Sequence, residues 1–306
     1  MKKVLIATVK PFAPAAVESI EGLFKNAGYE VSKLEKYGDQ SDLVNGVKGY
    51  DAVIIRSDKV TKEVVDSADA MKIVVRAGAG YDNVDLAAAT EKGVVVMNTP
   101  GQNSNAVAEL ALGMMVFGAR NMFQPKAGTE LKGKKLGIHA YGNVGKLVAN
   151  IAKGYGMEIY AFDPFVAKEK IEADGVKVVD TVEELYSTCN YISLHIPAND
   201  KTKNSINYDL LSKMPEGATL VNTARKEVVD EEGLKKLFAD RSDFRYLTDI
   251  APAIASELAE SYPDRFFATP KKMGAQTKEA NINAGAAAAT QIINFFEKND
   301  TTFKVN

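Results

Sequence analysis

The stretch from Lys134 to Asp163, KKLGIHAYGNVGKLVANIAKGYGMEIYAFD, constrains the fold more than any other part of the chain. Leu136 to Ala140 is a short apolar run that reads as a strand, and Gly142-Asn143-Val144-Gly145 is a tight turn. Lys146 to Gly154 carries apolar residues at helical spacing, and Glu158 to Phe162 reads as a second strand ending at Asp163. This is the layout of a dinucleotide site. The turn lets backbone approach a pyrophosphate, while the helix aims its free N–H groups and positive dipole end at it. A carboxylate at the tip of the second strand accepts the ribose hydroxyls of NAD and repels the extra phosphate of NADP. The first glycine of G-x-G-x-x-G is Ala140 here. Alanine is tolerated there if the turn keeps φ negative, and Gly142, where the backbone meets the phosphates, is retained.

A chain of 306 residues is long enough for two domains, each with its own core. A net charge of −2 with 25% charged residues calls for neither nucleic acid nor an acidic membrane as partner. The single cysteine, Cys189, excludes an internal disulfide and any cysteine metal cluster, which fits a reducing compartment. The opening MKKVLIATVK is too short in its apolar run for a signal peptide and reads as a strand. No apolar run reaches transmembrane length, so a soluble cytoplasmic protein is expected.

Residues 1 to 98 alternate strand and helix. Val4–Val9, Val31–Leu34, Ala52–Arg56, Ile73–Arg76 and Val94–Asn98 read as buried parallel strands. Pro14–Ala27, Thr61–Ser67 and Asp85–Lys92 read as helices, with Asp85 as an N-cap and Gly28 and Gly93 as stops. This half carries no dinucleotide fingerprint. The turn cluster TPGQNS at 99 to 104 suits a hinge, and the apolar run from Ala106 to Met122 suits a buried helix crossing between domains. Later strands are expected at Lys177–Val179, Tyr191–His195, Thr219–Asn222, Tyr246–Ile250 and Phe267–Thr269, before a final helix from Thr277 to Lys298. The expected fold is α/β: two doubly wound parallel-sheet domains, flavodoxin-like and Rossmann, with an interdomain cleft at the carboxyl ends of the strands.

With these pieces in order the chain resembles the D-isomer-specific 2-hydroxyacid dehydrogenases, and within them the branch that oxidises D-3-phosphoglycerate. The anchors are RAGAGYDNVD (76–85), NTPGQNSNAVAELALGMM (98–115), GIHAYGNVG (137–145), YAFDP (160–164), SLHIP (193–197), LVNTARKEVVDEEGL (220–234) and MGAQTKEAN (273–281). The resemblance implies a substrate domain of 1–98 with 285–306 and an NAD-binding domain of 99–284, without the regulatory domain of longer relatives. It implies that backbone N–H groups of Ala77, Gly78 and Ala79 hold the substrate carboxylate, with Asn103 beside the substrate. Tyr141, Gly142, Asn143 and Val144 would line the pyrophosphate and Asp163 the adenosine ribose. His195, Pro197, Thr202, Thr223 and Ala224 match cofactor contacts, and Asp249 matches the aspartate that meets the nicotinamide carboxamide. Arg225 matches the arginine that grips carboxylate and C2 oxygen. A guanidinium fork suits two coplanar oxygens on independent chemical grounds. The family also implies a homodimer, a small 2-hydroxy acid as substrate, NAD as cofactor and no metal.

The chain departs from the family at the catalytic acid/base. The segment that usually reads T-P-H-I-G-A is Thr269-Pro270-Lys271-Lys272-Met273-Gly274-Ala275. Counting back from the glycine puts Lys272 in the histidine's place; counting forward from the threonine puts Lys271 there. Lys272 is preferred, since the following glycine and helix fix the register. Five residues past Asp249, where the family's histidine-orienting glutamate stands, this chain has Ile254. A lysine has no tautomer to fix, so the paired loss is chemically coherent. Burial and Arg225 are expected to lower the lysine from about 10.4 to about 7–8, the range of catalytic lysines. Arg56, Ser57 and Lys59, at the carboxyl end of a strand, are expected to hold the substrate phosphate, provided that Asp58 faces solvent. Two other readings stand beside this one: a glyoxylate or hydroxypyruvate reductase, and a non-catalytic NAD-sensing module of the corepressor kind.

Overall fold

The computed structural model describes residues 1–306, which form two compact units, Met1–Asn103 with Thr277–Asn306 and Ser104–Gln276. The first unit carries strands β1 (Lys3–Thr8), β2 (Glu30–Glu35), β3 (Ala52–Ile55), β4 (Ile73–Arg76) and β5 (Val95–Asn98). They run parallel in the order β2-β1-β3-β4-β5, the flavodoxin-like order. Both faces are buried. Leu5, Val53, Val74 and Val96 point to one core, and Val4, Ile6, Ile54 and Val75 to the other, as the period of two demands. The last helix, Lys278–Lys298, packs on the first, Pro14–Asn26, and belongs whole to this unit. The expected division at residue 284 would have cut this helix in two. Ala284, Ala288, Ala289 and Ile292 bury one continuous stripe against the first unit's core, so the units part instead at its N-cap, Thr277.

Two local features of this unit follow from capping chemistry. Asp85 caps its helix by accepting from Ala88 N at 3.0 Å, and Gly28 and Gly93 end theirs with φ near +75° and +71°. The helix Gln40–Gly46 was not expected: it has few apolar residues and rests on an all-acid capping box between Asp39 and Asp42.

The second unit carries β6 (Lys135–His139), β7 (Glu158–Phe162), β8 (Lys177–Val178), β9 (Tyr191–Leu194), β10 (Thr219–Asn222), β11 (Arg245–Thr248) and β12 (Phe266–Ala268). All are parallel, in the order β12-β11-β10-β9-β6-β7-β8. The chain moves outward from β6 to β8, then crosses back to lay β9 on the other side of β6. That reversal is the topological switch point of the Rossmann order. The apolar helix spans Ser104–Ala119, within this unit, and packs on the helix Asn143–Gly154 and on β10 and β11. It stops short of the expected Met122 because Asn121, Met122 and Phe123 take left-handed backbone.

Candidate active site

The dinucleotide turn sits at the switch point, at the carboxyl end of β6. A Cβ on Gly145 would lie 2.3 Å from the Ala140 carbonyl oxygen and 2.9 Å from Ile138 Cγ2, so only glycine lets the helix rest on β6. Gly142 is the N-cap of that 12-residue helix, with open space around its Cα, no side chain capping the amides and no acid in the first turn. Its N–H groups and dipole are therefore left for an external anion. Ala140 corrects the sequence reading: its φ is +80°, not negative. Its N–H donates to Phe162 O at 2.9 Å and its carbonyl abuts Gly145, so the turn is held there at a cost of about 1–2 kcal/mol.

Asp163 is half-buried beside this turn. Its Oδ2 accepts the Tyr141 N–H at 2.7 Å, and its Oδ1 accepts those of Phe165 at 2.8 Å and Val166 at 3.3 Å. The carboxylate is thus fixed, with one lone pair of Oδ2 and the weakly held side of Oδ1 still open to hydroxyls. Tyr141 spends its N–H here and buries its ring, with its hydroxyl on Asp174 at 3.2 Å. Gly142, Asn143 and Val144 open the helix, where amides have no intrahelical acceptor.

The next strand ends carry unspent polar atoms. His195, just past β9, has a buried Nε2 with no partner, and Thr223, just past β10, has an equally orphaned hydroxyl. Burial, reinforced by the nearby His139, lowers the His195 pKa to about 3, so the ring is neutral. His139 is a packed core residue. Its Nδ1 lies 3.1 Å from the Tyr186 hydroxyl, and burial lowers its pKa to about 4. Thr202 closes the loop after β9, donating to Pro197 O at 2.5 Å and accepting from Asn199 N at 2.9 Å. Ala224 is buried, its N–H on Asn222 Oδ1 at 2.9 Å. An uncapped helix, an open glycine and two buried atoms in want of partners fit a dinucleotide laid across the carboxyl ends of β6, β7, β9 and β10.

Arg225 follows directly. Asn222, which the sequence reading passed over, braces its turn at both ends: Oδ1 takes Ala224 N, and Nδ2 donates to Arg225 O at 2.9 Å. The half-buried guanidinium donates to Ala224 O at 2.9 Å and forms no ion pair with Glu227 or Asp230. Most of its fork stays available. Asp249 behaves otherwise than expected. It is 1% exposed, and its carboxylate accepts from Thr269 Oγ1 at 2.9 Å, Met273 N at 2.7 Å and Gly274 N at 2.8 Å. It clamps the lysine loop. Lys271 and Lys272 are both exposed, so the burial expected to lower Lys272 is not provided by its own unit. At the position of the missing glutamate, Ile254 N and Ala253 N donate to Glu231 at 3.3 and 2.9 Å, and Glu257 pairs with Lys235 at 3.0 Å.

The first unit places its substrate candidates at the carboxyl ends of β3 and β4. Arg56 turns inward: Nη1 donates to Lys10 O and Pro11 O at 3.1 and 3.0 Å, and Nη2 to Asn281 Oδ1 at 2.6 Å. Asp58 does not face solvent. It is 5% exposed and accepts from Val9 N, the Tyr37 hydroxyl and Arg56 N at 2.6, 2.7 and 3.2 Å. Ser57 and Lys59 are exposed, and with Lys10 and Tyr37–Gln40 they line a cavity of about 300 Å³. Of the three expected carboxylate donors, Ala77 N already donates to Ile55 O and Gly78 N to Arg76 O, so only the Ala79 N–H stays open. Gly78 has φ +150°, and a Cβ there would collide with the Arg76 guanidinium. Arg76, overlooked in the sequence, therefore folds over this turn, with Nε on Arg56 O at 3.0 Å. Asn103 is half-buried in the turn that ends this part of the unit.

Residues 114–257 match the model of the D-isomer specific 2-hydroxyacid dehydrogenase NAD binding domain. A hydroxypyruvate reductase of Thermotoga maritima is 35% identical over 86% of this chain and 90% of its own length. The chain belongs to the D-isomer-specific 2-hydroxyacid dehydrogenase family. A solved NAD+-bound 3-phosphoglycerate dehydrogenase of Entamoeba histolytica is 48% identical with a TM-score of 0.89, over 100% of this chain and 98% of that one. The D-3-phosphoglycerate dehydrogenase of Methanocaldococcus jannaschii is 36% identical over 83% of this chain and 51% of its own length. The chain thus spans about half the length of the first curated relatives it matches. The family's NAD-binding domain covers the glycine turn, Asp163 and Arg225 but ends before Lys271 and Lys272. No helix is long and apolar enough to cross a membrane, and no group of three or more His, Cys, Asp or Glu side chains is arranged to hold a metal.

Proposed function

We propose that the chain is an NAD-dependent dehydrogenase that oxidises D-3-phosphoglycerate at C2 to 3-phosphohydroxypyruvate. The observation that supports this most is the 48% identity, over the whole chain, to an NAD+-bound 3-phosphoglycerate dehydrogenase. Bound NAD supplies the acceptor for the C2 hydride. The chain's own residues manage charge and proton. The Arg225 fork holds the carboxylate and the C2 oxygen, and stabilises negative charge on that oxygen. Lys272 takes the hydroxyl proton in oxidation and returns it in reduction. Asp249 is a positioning residue in this reading, holding the loop that presents Lys272. Ser57 and Lys59 serve the substrate phosphate, with Lys10 as a third donor.

The pH dependence of each direction follows from the lysine. In its ammonium form Lys272 serves as the acid of reduction, and in its amine form as the base of oxidation. Oxidation should therefore climb with pH and reduction should fall. A hydroxypyruvate reductase is the second reading, favoured by the match along 90% of one such enzyme. Turnover on a panel of 2-oxo acids, with and without a terminal phosphate, separates them. Phosphohydroxypyruvate should be preferred by roughly tenfold or more, the worth of one charged contact. Equal turnover favours the reductase, and none on any 2-oxo acid leaves an NAD-binding module. The family's homodimer and a cytoplasmic location complete the proposal, and light scattering tests the first.

A further inference from the structure

The second unit has a cavity of about 410 Å³ at the opposite end of its sheet, lined by Asn121, Lys126, Ser242, Arg245, Asp264 and Arg265 among others. Arg245 opens β11 and Arg265 immediately precedes β12, so both side chains stand at the amino ends of their strands. The charges there do not balance. Asp264 is the one carboxylate in the lining, and Lys126 shares it at 3.5 Å. Arg245 has no ion pair: Nη2 donates to Asn121 Oδ1 at 3.2 Å, and Nε is buried without a partner. Arg265 has none either. Its Nη1 goes to Arg241 O and its Nη2 to Phe238 O at 2.5 and 3.0 Å, and its plane lies over the Phe238 and Tyr262 rings. Burial lowers the Arg265 pKa; Tyr262 and Asp243 oppose that, and the charge of Arg245 adds to it. Asp243 is already tied to Arg241 and to Gly217 N.

Two guanidinium groups thus repel each other across one cavity, and one holds a buried N–H with no acceptor. Such an arrangement is costly unless an anion joins them. We propose that this cavity is a second anion site that takes a phosphate dianion, free or as a small phosphomonoester. Arg245 Nε supplies the buried donor, the remaining Arg265 N–H groups and Lys126 Nζ the charge, and Ser242 a hydroxyl. A tetrahedral dianion with several acceptor oxygens meets these donors at once. The volume leaves room for a short organic group beyond the phosphate. The site does not depend on the cofactor end of the unit.

Calorimetric titration of the full chain with inorganic phosphate, and separately with glycerol phosphate, tests the site. Arg245→Gln should weaken phosphate binding roughly 10- to 150-fold, the effect of losing a charged hydrogen bond in a buried setting. Lys126→Ala removes a largely exposed side chain that the fold does not need, so it decides the matter if Arg245→Gln folds poorly. It should weaken binding by roughly two- to fivefold with thermal unfolding unchanged. Lys59→Ala removes only the phosphate contact proposed for the first unit and should leave the affinity of this cavity as it is. Tighter binding of glycerol phosphate points to a phosphorylated metabolite, and equal binding to free phosphate. Phosphate affinity that survives Arg245→Gln and Lys126→Ala, or that is lost only in Lys59→Ala, overturns the proposal.

Discussion

The two sheets share an architecture, but their carboxyl ends are in opposite chemical states. In the seven-stranded unit the switch point is left unspent: an uncapped helix, an open Gly142, and orphaned atoms on His195 and Thr223. In the five-stranded unit the same region is largely spent on itself. Arg56 serves three carbonyl oxygens, Asp58 takes three donors, and Ala77 and Gly78 bond backward into the turn. A switch point therefore becomes a ligand site only where its polar groups lack internal partners. Open groups should reveal themselves in binding and turnover, and spent groups in stability.

The largest effect expected is on the exposed lysine loop. Lys272→Ala should lower kcat roughly 10²- to 10⁴-fold, the usual range for a positioned acid or base, with NAD affinity barely changed. A silent Lys272→Ala with a crippled Lys271→Ala shifts the register by one residue, and two silent variants remove the lysine mechanism. Next comes acid stability, where the hydrogen-bonded His139 and the unpartnered His195 act together. Both are neutral when folded, with pKa values lowered to about 4 for His139 and about 3 for His195, chiefly by burial. The unfolded chain binds protons below about 6.5, so stability is full above that pH and is lost as pH falls toward the folded values. Denaturant unfolding at pH 5 against pH 7 should show a loss of up to ~4 kcal/mol. A flat profile would mean the rings reach water.

Arg56 sharpens the contrast between the units. If its fork is a brace, Arg56→Ala should cost about 1.5–3 kcal/mol in stability and impair phosphorylated and unphosphorylated substrates alike. A selective rise in KM for the phosphorylated substrate, with stability intact, would return Arg56 to the phosphate. The smallest effect is at the turn. Ala140→Gly should stabilise the chain by about 1 kcal/mol at most, since relief of the left-handed strain exceeds the added unfolded-state entropy. A destabilised glycine variant would mean that the turn bears no such strain.

Much of this was legible in the residues. The apolar runs at Ile73–Arg76, Glu158–Phe162 and Thr219–Asn222 became strands with those bounds; the first and last are buried almost throughout, as parallel strands covered on both faces are. The glycine turn and Asp163 lie close in sequence, so their geometry could be read too. What escaped was set by distant partners. Arg56 finds its acceptors on Lys10, Pro11 and Asn281, and Asp249 is claimed by amides of Met273 and Gly274, pairings that no local pattern encodes. The sign of φ at Ala140 was hidden as well, since alanine is the one residue there that gives no hint of left-handed backbone.

The central claim is that the second unit is a ready-made site for NAD, and direct titration of NAD and NADP into the protein tests it without any assumption about substrate. NAD should bind at least roughly tenfold more tightly than NADP if the fixed Asp163 carboxylate is the ribose acceptor, since it would then meet the 2′-phosphate and is followed by Pro164 and Phe165 rather than by a cation. Asp163→Ala should narrow that gap. Equal affinity for the two dinucleotides, or binding of neither, would contradict the account.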